Sequence, residues 1–140
     1  MLELVSAYQP AIMALIVLTL IVLLQSAAGA FFCFVKGDKV PGAPLTGDHG
    51  ELAFRAMRCY QNGIENLPAF AVAVFIAIAA GAGASLVNML AIIHVGFRVL
   101  YAVIYYGGFG KPGGGPRSLT YVAGWAVNVV LVVMALLALM

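Results

Sequence analysis

Residues 7–35 contain no charged side chain at all, and this one stretch constrains the chain more than any other feature. About 20 consecutive apolar residues already suffice to cross a bilayer as a helix, so a run of this length predicts a membrane span. Three further apolar segments follow, at residues 49–80, 86–106 and 118–140. Composition agrees, with 64% apolar and 9% charged residues against roughly 45–50% and 25% in soluble domains. A water-soluble domain is excluded. The expected fold is an all-α membrane protein, a single four-helix transmembrane bundle filling residues 1–140.

Seven bases and five acids, scattered along 140 residues, make no basic face, so nucleic acid is excluded as a partner and lipid takes its place. Met1-Leu2-Glu3 lacks a basic leader, and the first apolar run is too long for a signal segment, so the chain is expected to stay uncleaved. Cys33 and Cys59 lack metal-ligand spacing and read as small buried residues, with no metal expected.

The connections carry the topology. Lys36-Gly37-Asp38-Lys39 and Pro41-Gly42-Ala43-Pro44 form a polar loop, after which Asp48 and Glu51, three apart, predict a capping box opening the second span. Gly81-Ala82-Gly83-Ala84 allows a tight turn, and residues 107–116 are rich in glycine. Lys36, Lys39, Lys111 and Arg117 lie in or beside the first and third loops, whereas the termini and the second loop have no Lys or Arg. Because positive loops stay in the cytoplasm, both chain ends are expected on the opposite side.

Charges also occur where lipid is expected. At 3.6 residues per turn, Arg55, Arg58, Asn62, Glu65 and Asn66 fall within an arc of roughly 100° on the second span. By the same geometry His94, Arg98, Tyr101 and Tyr105 fall within about 60° on the third. Arg117, Tyr121 and Asn128 share one side of the fourth. An ionised group in hydrocarbon costs roughly 2.5–3.5 kcal/mol, so such residues turn inward and pair, or line a wet cavity. Glu65 is the only acid deep in a span and neutralises at most one of Arg58 and Arg98. The remaining positive excess predicts an anionic ligand. Taken singly, His94 reads as a hydrogen-bonded buried histidine, Tyr101 and Tyr105 as interfacial aromatics, and Asn128 as glue between helices. Pro68 is expected to bend the second span and free a carbonyl near Ile64.

The segment Arg55-Ala56-Met57-Arg58-Cys59-Tyr60-Gln61-Asn62-Gly63-Ile64-Glu65-Asn66-Leu67-Pro68-Ala69-Phe70 closely resembles the signature of the MAPEG family, membrane-associated proteins of eicosanoid and glutathione metabolism. Arg98-Val99-Leu100-Tyr101-Ala102-Val103-Ile104-Tyr105 and Arg117-Ser118-Leu119-Thr120-Tyr121 resemble its third and fourth helices. Val22-Leu23-Leu24-Gln25 is similar to the first helix of one eicosanoid branch, with Lys36 where that branch has an arginine. Tyr60 and Gln61 stand where relatives carry histidine or arginine, and the 107–116 loop is longer than in the eicosanoid synthases. The departures at Tyr60 and Gln61 argue against the eicosanoid branches.

The resemblance implies a homotrimer of four-helix subunits, a microsomal-type glutathione transferase, with glutathione as co-substrate between subunits at the cytoplasmic end. It implies that Lys36, Arg58, Asn62, Glu65, Asn66, Arg98, Tyr101 and Tyr105 hold the tripeptide, and that Arg117, Tyr105, Ser118 and Tyr121 act at the thiol. Arginines suit the two carboxylates of glutathione and Glu65 suits its ammonium. A free thiol of pKa near 8.5 is about 3% ionised at pH 7, and about 2.7 kcal/mol of stabilisation raises that to roughly three-quarters. The thiolate then attacks a lipophilic electrophile arriving from the bilayer. The expected location is a bacterial inner membrane, with the site facing the cytoplasm. Glutathione-dependent reduction of hydroperoxides is a companion activity. Two alternatives stay open: a small multidrug-type transporter built around Glu65, and a non-catalytic scaffold of the same fold.

Overall fold

The computed structural model describes residues 2–36, 40, 46–111 and 113–140. Met1, Gly37-Asp38-Lys39, residues 41–45 and Pro112 lie outside these, and with them the expected polar loop, its Lys39 and its prolines. Among the described residues there are five helices and no strand: α1 (Leu2–Ala7), α2 (Gln9–Lys36), α3 (Leu52–Ala79), α4 (Ala84–Gly107) and α5 (Pro116–Ala138). Helices α2 to α5 are each long and apolar enough to span a membrane.

The first apolar run is one helix, α2, preceded by the short α1. The two part at Tyr8, just before Pro10, which has no N–H to give to the preceding turn. Side chains from the α3–α4 region secure the break. The Asn88 amide donates to Ala7 O at 2.9 Å and accepts from Ala11 N at 3.1 Å, while Tyr8 donates its hydroxyl proton to Ala82 O. Asn88 thus answers one carbonyl and one N–H of those that a helix interruption orphans.

The capping box is also corrected. Helix α3 starts at Leu52 with Glu51 as its N-cap and no side-chain capping bond. Asp48 instead accepts from Gly50 N at 2.7 Å, closing a turn within its own loop, and Glu51 pairs with Lys36. The ion pair with Lys36 occupies the carboxylate that the capping box required. Helix α3 continues through Pro68, which is exposed along with Ile64.

Helix α3 packs on α2, α4 and α5, and α4 packs on α2 and α5, so α2 and α5 take opposite corners. The bundle has two unlike halves. Towards the α3–α4 turn, Ala11, Ala14, Ala73, Ala77, Ala91 and Ala135 surround Phe70, Val74, Val87 and Leu131 in a closed apolar core. Small side chains let helices approach closely where lipid supplies no hydrophobic drive of its own. Towards the other end the core is Cys59, Tyr101 and Tyr105, and polar groups begin. Gly63 marks the α2–α3 crossing there: a Cβ would stand 3.0 Å from Val22 and 3.1 Å from the Gln25 amide oxygen.

Candidate functional site: a cationic mouth between α3, α4 and α5

Helix α4 supplies the inner wall. Its buried face includes His94, Arg98, Tyr101 and Tyr105, the four residues that the helical count aligned. The two tyrosine rings pack at 5.1 Å between centroids, and the Arg98 guanidinium lies 5.0 Å from the Tyr101 centroid. Arg98 is 5% exposed, and its Nη2 donates to Asn62 Oδ1 on α3 at 2.7 Å. His94 behaves as a buried histidine. It stacks on Phe70 at 4.3 Å and shares a 3.0 Å hydrogen bond between Nδ1 and Gly124 O.

Helix α3 divides the polar stripe between two directions. Asn62 and Asn66 are buried, Arg58 is half-buried, and Glu65 is exposed. Among the described residues Glu65 forms no ion pair with Arg58 or Arg98; it accepts instead from Asn62 Nδ2 at 3.4 Å. The Asn62 amide stands between the two charges, carrying Arg98 on its oxygen and reaching Glu65 through its nitrogen. Arg58 Nη1 donates to Gln61 Oε1 at 2.9 Å, and Asn66 Nδ2 to Asn62 O at 2.8 Å on its own helix. Arg55 leaves the stripe altogether. It braces backbone, reaching His49 O at 2.9 Å, Gly50 O at 2.8 Å and Tyr106 O at 3.3 Å.

Helix α5 begins at Pro116, whose fixed φ suits a first helical position. Arg117 follows at once and folds back over the glycine-rich loop, with Nε donating to Phe109 O at 3.1 Å and Nη2 to Gly110 O at 2.7 Å. Its guanidinium stands 5.1 Å from the Tyr105 centroid. Arg117 is 5% exposed, yet its Nη1 has no hydrogen-bond partner among the described residues. A buried guanidinium N–H left over in this way is a donor waiting for an acceptor.

The sequence-derived thiol set is thus only half assembled within one chain. Arg117 and Tyr105 meet, whereas Ser118 is exposed and Tyr121, 36% exposed, flanks the buried face of α5. Asn128 is buried with its Oδ1 unpartnered, so the interhelical bond expected from that oxygen is not made. Lys36 is engaged with Glu51 across the first loop.

His49 is the residue that no motif pointed to. Its Nε2 lies 2.9 Å from the Tyr105 hydroxyl. Partial burial, and then the cations Arg117 and Arg58, push the imidazole below its ordinary value of 6.5, with Asp48 opposing. Only the short turn Asp48-His49-Gly50 ahead of α3 gave a sequence signal, and that spacing suggested a cap rather than a ring poised over α4.

Comparison with known proteins adds one positive finding: the family model described as MAPEG family matches residues 10–137. No curated protein and no solved structure matches the chain.

Proposed function

Since the chain belongs to the MAPEG family, we propose that it is a membrane-bound glutathione transferase that activates the glutathione thiol for attack on lipophilic electrophiles. The observation that carries the proposal is the spare, buried Nη1 of Arg117 beside Tyr105. A fixed cation of this kind favours a thiolate over a thiol, which is what the first step of such a transfer requires.

The donor set suits the tripeptide. Arg58 and Arg98 offer forked donors for carboxylates, Asn62 and Asn66 offer amides, and Glu65 offers an anion for the ammonium. Tyr101 and Tyr105 pack beside these donors, and Lys36 is paired with Glu51 ahead of α3. The exposure of Glu65 and Ser118 supports an assembly, because polar groups on the outside of a single membrane-embedded chain need a partner surface, and the family likeness makes that assembly a homotrimer. In that assembly the second subunit would cover the outward half of the α3 stripe, and glutathione would lie between subunits. The proposed topology places the Arg117 end at the cytoplasmic face of a bacterial inner membrane, as the loop lysines and arginines favour. The same thiolate would also serve hydroperoxide reduction.

Purified protein in detergent micelles should bind glutathione by calorimetry and consume it with an electrophilic aromatic compound. Arg117→Ala should lower turnover on both electrophiles and hydroperoxides. Absence of binding and of conjugation, with Arg58→Ala and Arg117→Ala indistinguishable from wild type, would overturn the proposal. Glutathione binding without turnover on any electrophile would make the chain a scaffold.

A further inference from the structure

Two elements besides α4 meet at Tyr105. The Arg117 guanidinium of α5 lies against the ring of Tyr105, and the His49 imidazole touches its oxygen. His49 is not loosely placed. Its ring packs edge-on against Phe54 at 4.9 Å, and Arg55 binds the carbonyls of His49 and Gly50 together with Tyr106 O. One side chain therefore locks the turn bearing His49 to the turn of α4 bearing Tyr105.

The groups facing His49 are Arg117 from α5, Arg58 and Arg55 from α3, Asp48 from its own turn and Tyr105 from α4. Cations outnumber anions, and the imidazole is held below 6.5, so it is neutral near pH 7. A neutral ring has one bare nitrogen. With the phenol donating to Nε2, the lone pairs of the Tyr105 oxygen remain available to accept.

We propose that His49 is a positioning residue that takes up, through Tyr105, the proton released when a thiol ionises beside Arg117. The inference rests on the glutathione reading given above. In the step, the S–H bond breaks and sulfur keeps the electron pair. The proton passes to the Tyr105 oxygen as the original phenolic proton passes to His49 Nε2. The imidazolium then gives its proton to water at the loop. The balance is one thiol converted to one thiolate and one solvent proton, with no oxidation or reduction.

The test uses the purified full chain and glutathione. Thiolate is followed by its ultraviolet absorbance, proton release in weak buffer, and binding by calorimetry, each across pH. His49→Gln keeps an oxygen able to accept the phenol's hydrogen bond but takes no proton. Binding should stay within about twofold, while thiolate formation slows about 100-fold and the acid limb of its pH profile, below 6.5 in the wild type, disappears. Added imidazole should restore the rate in His49→Ala, which keeps the assay decisive if the glutamine variant folds poorly. Wild-type rate and pH profile in His49→Gln, or no rescue of a folded His49→Ala, would overturn the proposal and leave His49 as a hydrogen-bond partner of Tyr105 alone. A wild type that takes up no glutathione would instead overturn the functional reading, and this inference with it.

Discussion

Asn62→Ala removes the acceptor that holds the Arg98 guanidinium inside the membrane. The bond is short, 2.7 Å, and both residues are under 10% exposed, so water does not replace the lost oxygen. A hydrogen bond to a charged group contributes about 1.5–3 kcal/mol. The stacking of Arg98 on Tyr101 survives the substitution, so the expected loss is about 2 kcal/mol. Arg98→Met removes the charge and leaves the amide oxygen unanswered, costing about 1–3 kcal/mol. The double variant should then be less damaged than the sum of the two, with a coupling of about 1.5–3 kcal/mol, a value within the range seen for residues in one hydrogen-bond network. Asn62→Asp, which offers a carboxylate at similar reach, should recover most of the loss. Unfolding from mixed micelles by increasing detergent strength, followed by helical circular dichroism, measures all four. Additivity of the single variants within about 0.5 kcal/mol would refute the view that the amide carries this arginine.

Tyr8→Phe deletes the hydroxyl donor to Ala82 O and should lower stability in the same assay by about 1 kcal/mol. Ala77→Leu pushes a larger side chain into a fully buried position of the closed core and should cost about 1–3 kcal/mol. Arg117→Lys keeps the charge but loses the fork that holds Phe109 O and Gly110 O. Glutathione affinity by calorimetry should fall about tenfold, a change of about 1.4 kcal/mol. An unchanged affinity would show that charge alone suffices there.

Much of the bundle is legible in the sequence because lipid enforces a simple rule, and apolar runs of this length have few other fates. The α4 stripe was equally legible. His94, Arg98, Tyr101 and Tyr105 are all buried as their spacing demands, since every neighbour of that face is protein. The α3 stripe was legible only as an arc. A helical count shows that Asn62 and Glu65 are close in angle, but not that the line dividing protein-facing from outward-facing surface runs between them. Arg55 was misplaced for another reason: its partners are carbonyls, and backbone acceptors leave no trace in residue types. The same holds for Asn88, which grips two backbone groups across 77 and 81 positions of chain. Glu51 lost its capping role to a lysine 15 positions earlier, a competition that no local pattern reveals. His49 escaped notice because its significance lies wholly in the Tyr105 hydroxyl it meets.

The alanine-lined half of the bundle has a bearing on the membrane as a barrier. Phe70, Val87, Ala91 and Leu131 are wholly shielded, and together they plug the depth below Arg98. The polar end is thus sealed from the alanine-lined end. Within one chain, a continuous water-filled path through the bundle would require these four side chains to part.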